Sequence, residues 1–268
     1  IVTDQSIGDL FIAGVVPGLI LATLFSVVVM IWGVIHPDDI PDSEQAARMT
    51  MFQIGATIGP IALIGLVITV AIYGGIATPT EAAAVAALLT VALAFGVGGL
   101  RWDGFKDALF STMRTMGYLG LLLSAGTLFG FVLTYYRVPQ EFTELFLSFE
   151  LSPYTVLAIV LLFYILLGMF LEPVSMTFIT LPTIFPLMAA AGFDLIWFGV
   201  VYTVTMEIAV LTPPVGLNLY VIQGISRGKV SIVQVIRGCL PFIAALVVLI
   251  VLLVAFPQLA LWLPEQMK

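Results

Sequence analysis

Residues 208–224 read IAVLTPPVGLNLYVIQG. The flanks are apolar enough to lie in a bilayer, yet Thr212, Pro213, Pro214, Gly216 and Asn218 stand in the middle of the run. Proline has no N–H and its ring clashes with the carbonyl four residues earlier, so the pair predicts a helix broken here, with the carbonyls of Ala209 and Val210 stripped of helical partners. In hydrocarbon, backbone without partners is tolerated only where it is buried in protein or lines a watery cavity. The stretch is therefore a site candidate on physical grounds alone.

Composition sets the class. Of 268 residues, 61% are apolar and 9% charged, with mean hydropathy +1.18, whereas a soluble domain is roughly a quarter charged. Several runs reach the ~20 apolar residues that a membrane helix needs, and the short alternating segments of a β-barrel are missing. The expected fold class is an all-α polytopic membrane protein. The net charge of −7 comes partly from HPDDIPDSE (36–44) and carries no nucleic-acid signal. One cysteine, Cys239, excludes an intrachain disulfide and a cysteine metal cluster, and one histidine, His36, excludes a His-rich metal site or a Ser/His/Asp triad. The opening IVTDQS, with neither methionine nor signal peptide, reads as a fragment or a processed chain.

Local signals divide the chain. A first helix is expected from about 10 to 35, within a segment 1–35, followed by a polar linker at 36–51. In the segment 52–151 a span at 52–73 ends on Tyr73-Gly74-Gly75, and the next opens with Thr78-Pro79-Thr80-Glu81, a capping box, and runs to about 98. Glu81 is read as a cap in preference to a transport residue. An interfacial helix is expected at 101–117, feeding a separate span at 118–135 whose SAGT (124–127) suits close helix packing. The segment 152–268 begins at Ser152-Pro153, a good helix start. Residues 153–191 are apolar but interrupted by LEPVSMT (171–177), which predicts a re-entrant helical hairpin. A discontinuous helix at 194–226 and a final helix at 233–262 complete it.

Basic residues orient this topology. Arg48, Arg101, Lys106, Arg114, Arg227, Lys229 and Arg237 fall on one side, Arg137 and Lys268 on the other. The first side should be cytoplasmic and the hairpin should enter from the opposite, periplasmic face. GDLFIAGVVPGLILA (8–22) also echoes VQVIRGCLPFIAALV (233–247), Gly14 and Pro17 matching Gly238 and Pro241. Those helices run in opposite directions in this topology, as an inverted-topology repeat requires.

Three stretches, GGIATPTEAAAVAAL (74–88), GMFLEPVSMTFITLPTIFPL (168–187) and LTPPVGLNLYVIQGIS (211–226), resemble the large membrane subunit of the tripartite ATP-independent periplasmic (TRAP) transporters, as its C-terminal half. The resemblance implies an inverted-repeat, elevator-type importer of the bacterial or archaeal inner membrane, driven by sodium as coupling ion with no other cofactor. It implies as partners a small TRAP membrane subunit, a soluble periplasmic substrate-binding protein, the N-terminal half of the large subunit and membrane lipid. The cargo class is an organic acid, a C4-dicarboxylate or a sugar acid.

A discontinuous helix offers loose carbonyls to a cation and an N–H-rich, positive end to an anion. The sodium candidates are Glu172, Pro173, Ser175, Met176, Thr212, Pro213, Gly216 and Asn218. The substrate candidates are Ser175, Thr177, Pro214, Val215 and Asn218. Glu172 either caps the second arm of the hairpin or acts in transport, Glu207 either pairs with a polar neighbour or acts in transport, and Asp194 starts a helix near the periplasmic surface. Two rival functions are an assembly subunit without an ion site and an intramembrane hydrolase, the latter short of a histidine base.

Overall fold

The computed structural model describes residues 6–37, 51–226 and 230–266, with backbone only for 51–54, 56 and 57. Most of the expected linker at 36–51, with Arg48, lies outside the described residues, as do Arg227, Lys229 and Lys268. Every described element is a helix, and five helices or helix pairs among the described residues are long and apolar enough to cross a membrane. The helices fall into two compact units, residues 33–119 and residues 1–32 with 120–268.

The first unit contains α3 (Met51–Tyr73), α4 (Pro79–Gly96) and the first half of α5 (Trp102–Tyr135). Helix α4 opens as expected. The Thr78 N–H donates to Glu81 Oε2 at 2.8 Å and the Glu81 N–H donates to Thr78 Oγ1 at 3.3 Å, so two end amides are satisfied reciprocally. Glu81 is thus a cap.

The second unit holds the rest. Ser6 caps α1 (Ile7–Ala13), which passes into α2 (Val15–Ile35) through Gly14. The step has a local cause: Pro17 offers no N–H to the Ala13 carbonyl, so the ladder loses a rung there. The matching Gly238 and Pro241 lie inside an unbroken α11 (Ile232–Ala255).

Two expectations are corrected. The interfacial helix at 101–117 and the span at 118–135 are one 34-residue helix, α5. Gly117 and Gly120 weaken a helix without removing a donor, so nothing terminates it. At ~1.5 Å per residue it is about 51 Å long, more than a ~30 Å hydrocarbon core can hold upright. The final helix does not reach 262. It stops at Ala255, Phe256 leaves helical geometry (φ −132°, ψ 75°) ahead of Pro257, and α12 (Gln258–Gln266) follows.

Four further helices frame the centre: α6 (Val138–Ser148), α7 (Pro153–Gly168), α8 (Pro173–Ala190) and α9 (Leu195–Leu211), before the short α10 (Leu217–Ile225). Ser152 caps α7 and Asp194 caps α9, the latter accepting from the Ile196 and Trp197 amides at 2.8 and 2.9 Å. Helix α9 is the hub, buried almost continuously from Trp197 to Val210. Trp197 Nε1 donates to the Leu253 carbonyl of α11 at 2.9 Å, and the Phe198 ring meets Phe185 of α8 edge-on at 5.5 Å. Small residues permit such approaches. In α5 a Cβ on Gly126 would lie 2.7 Å from Cβ of Phe178, so SAGT is a packing surface and not a break.

Candidate functional site

The first interruption is the turn at 169–172, between α7 and α8. Pro173 takes the first helical position, where a missing N–H costs nothing, and forces Glu172 into extended geometry (φ −74°, ψ 139°). Glu172 Oε2 accepts from the Ser175 N–H at 3.2 Å and from the Ser175 hydroxyl at 2.9 Å. Of the two readings left open for Glu172, the structure contains the cap. Met176 is fully buried, and its Cε lies 3.2 Å from where a Cβ on Gly168 would be. Thr177 Oγ1 is 2.6 Å from the Pro173 carbonyl and 2.7 Å from the Tyr202 hydroxyl.

The second interruption is the break at 212–216, between α9 and α10. Thr212 ends α9 in extended geometry (φ −95°, ψ 128°). The Ala209 carbonyl, expected to be loose, is recaptured: the Thr212 N–H donates to it at 3.2 Å, an i to i−3 bond that tightens the last turn. Thr212 Oγ1 donates to the Ile208 carbonyl at 2.6 Å. The peptide between Pro213 and Pro214 is cis, and both prolines are exposed. Gly216 then adopts left-handed geometry (φ 54°), where a Cβ would meet Leu219 Cδ1 at 2.7 Å and Thr212 O at 3.2 Å. Only glycine fits such a position. It precedes α10 without any side-chain cap. Asn218 is exposed in the first turn of α10, and Val215 is half-buried within the break.

The two interruptions are neighbours. A Cβ on Gly168, the last residue of α7, would lie 2.5 Å from Ala209 Cβ, three residues before Thr212. Gly168 also faces Met176, and Tyr164 faces Thr180, so α7 and α8 run antiparallel. Tyr164 faces Tyr202 while Gly168 faces Ala209, so α7 and α9 run in the same direction. The carbonyl ends of α7 and α9 therefore converge beside the amide-rich starts of α8 and α10. Such a junction can hold a hard cation by main-chain oxygens and an anion by helix N-termini. Only the start of α10 lacks a side-chain carboxylate.

Sequence reasoning missed three residues: Gly168, whose missing side chain brings the turn against α9, and Tyr164 and Tyr202, whose hydroxyls are engaged below the turn. The glycine in GMFLEP was the available signal. Glu207 lines a cavity of about 710 Å³ between α1, α2, α9 and α11, apolar apart from Thr203 and itself.

The family model for the DctM component of the tripartite ATP-independent periplasmic transporters matches residues 1–259. This chain belongs to that family. Among curated TRAP proteins it is 31% identical to a sialic acid large permease protein of Vibrio cholerae, over 99% of this chain and 61% of the relative. It is 34% identical to a C4-dicarboxylate large permease protein of Pseudomonas aeruginosa, over 98% of this chain and 61% of the relative. An ectoine large permease protein of Halomonas elongata is 30% identical, over 99% and 61%. The chain thus spans about three fifths of these TRAP permeases, as the resemblance to part of the large subunit implies. TRAP large permeases are membrane transport components and not enzymes, so the hydrolase reading falls.

Proposed function

We propose that this chain is the transport-bearing part of a sodium-coupled importer. Its cargo is an organic acid handed over by a periplasmic binding protein. In this reading α7 and α8 form a re-entrant hairpin entering from the periplasmic face of the inner membrane. Helices α9 and α10 are the two halves of a broken crossing. The unit carrying them moves as an elevator, together with a small membrane subunit and the remainder of the large subunit.

The observation that carries the reading is the contact of Gly168 with Ala209, which sets the turn at 169–172 beside the break at 212–216. Unpaired backbone at membrane depth is expensive, and two such places side by side are the arrangement that transporters use for ions and substrates. Sodium is assigned to main-chain oxygens around Thr212, Pro213 and Gly216, with the side chains of Thr212 and Asn218 assisting and the turn residues Glu172, Pro173, Ser175 and Met176 as candidates on the facing side. The cargo carboxylate is assigned to the start of α10, near Pro214, Val215 and Asn218, because no acidic cap occupies it. Sialic acid, C4-dicarboxylates and ectoine, which name the relatives, all carry a carboxylate. A C4-dicarboxylate or a sugar acid is the expected class.

The test is uptake of radiolabelled organic acids into proteoliposomes holding the complete membrane complex and its binding protein, with and without an inward sodium gradient. Sodium should drive uptake, and Asn218→Ala should raise the sodium or substrate concentration required. Uptake indifferent to sodium, or an Asn218→Ala protein that differs only in folded yield, overturns the assignment.

A further inference from the structure

Behind the turn at 169–172, two tyrosines and two threonines join three helices. Tyr164 (α7) and Tyr202 (α9) are almost fully buried, their rings edge-on at 4.8 Å. Thr180 Oγ1 lies 2.9 Å from the Tyr164 hydroxyl and 2.8 Å from the Met176 carbonyl. Thr177 Oγ1 lies 2.7 Å from the Tyr202 hydroxyl and 2.6 Å from the Pro173 carbonyl. A threonine hydroxyl has one proton, and a carbonyl can only accept. Thr177 therefore donates to the Pro173 carbonyl one turn back and Tyr202 donates to Thr177, whereas in the second pair the Thr180 hydroxyl donates to the Tyr164 oxygen. The protons are ordered in one direction: Tyr202 to Thr177 to the first carbonyl of α8.

This order has a geometric consequence. Pro173 is the first residue of α8, and Thr177 stands four residues later, about 6 Å along the axis. The link from Tyr202 thus fixes the first turn of α8 against α9, the helix whose end forms the other side of the proposed site. We propose that Tyr202 is a positioning residue for the coupling ion: it holds the oxygens of the turn at the correct separation from those of the break without touching the ion itself. Its hydroxyl does this through Thr177, whose own proton is committed to Pro173. The Tyr164–Thr180 link, one position further along the same face of α8, fixes the two arms to each other and not α8 to α9. The two tyrosines therefore have different effects.

The proposal rests on the sodium-coupled reading given above. The experiment measures uptake by the complete complex in proteoliposomes against sodium at saturating substrate, and against substrate at saturating sodium. Tyr202→Phe keeps the ring and removes the hydroxyl. It should raise the half-saturating sodium concentration about fivefold to tenfold, the scale of one lost hydrogen bond, with a smaller change in the half-saturating substrate concentration. Tyr164→Phe should move the sodium value about twofold or less, and Tyr154→Phe, at the far end of α7, should leave it unchanged. Thr177→Val should reproduce Tyr202→Phe, and the double variant should be no worse than either, because both cut the same chain. Should Tyr202→Phe not fold, Thr177→Val alone gives the readout. Wild-type uptake that ignores sodium overturns the parent reading. Sodium-driven uptake with the same sodium dependence in Tyr202→Phe or Thr177→Val overturns this one, as does an equal effect of the two tyrosines.

Discussion

The turn at 169–172 and the break at 212–216 solve the same problem in opposite ways. Both interrupt a helix by proline, and both leave main-chain groups for something else to satisfy. At the turn the protein supplies the partner itself: Glu172 closes the start of α8 through the Ser175 amide and hydroxyl. At the break it supplies none at the start of α10, where Gly216 stands in the cap position with no side chain to offer. A helix start already holding a carboxylate repels a second, and an open one attracts it. The pair therefore divides into a helix start closed by its own carboxylate and a helix start without a side-chain cap.

The largest effect should come from separating the two. Gly168→Leu forces a side chain into the 2.5 Å approach to Ala209 and should cost at least the ~1–3 kcal/mol of an overpacked core, seen as a steep fall in the melting temperature and yield of the purified complex. Gly168→Ala should fall in the same direction by less. Next is Gly216→Ala, which puts a Cβ into left-handed backbone and against Leu219; a loss of about 1–2 kcal/mol is expected. Calorimetry of the complex would show it, and an unchanged melting temperature would mean that the break rearranges freely.

Smaller changes sharpen the division. Glu172→Ala removes a cap and should destabilise by about 1 kcal/mol, while Glu172→Gln, which keeps an acceptor oxygen, should lose less. If Glu172→Gln instead abolishes sodium dependence at full stability, the turn is also a charged ligand and the contrast with the break collapses. Asn218→Ala should have the smallest effect on stability, within about 0.5 kcal/mol, because the side chain is exposed. A large drop in its melting temperature would mean that the start of α10 is held by the protein after all.

Much of this was legible locally. The capping box at Thr78 and Glu81, the Ser152 and Asp194 helix starts, and the stop at His36-Pro37 each depend on residues within a turn of one another, and each is where the sequence places it. The misreadings came where local chemistry was silent or competed with a longer ladder. Nothing between Gly117 and Tyr118 ends a helix, so α5 continues. At Pro257 the restriction on the preceding residue ended α11 early within a run whose hydropathy promised more. Ala209 kept a partner because one i to i−3 bond is available even beside two prolines.

By itself the sequence determined the membrane class, through apolar runs of spanning length, and the two interruptions, because a proline removes its own N–H wherever it sits. Only the tertiary structure decided that the interruptions meet. The approach of Gly168 to Ala209, and of Tyr202 to Thr177, joins residues 41 and 25 positions apart through the packing of α7 and α8 on α9. No local rule encodes such a pairing: a glycine or a buried tyrosine specifies only that something lies close, and the partner is chosen when the helices pack.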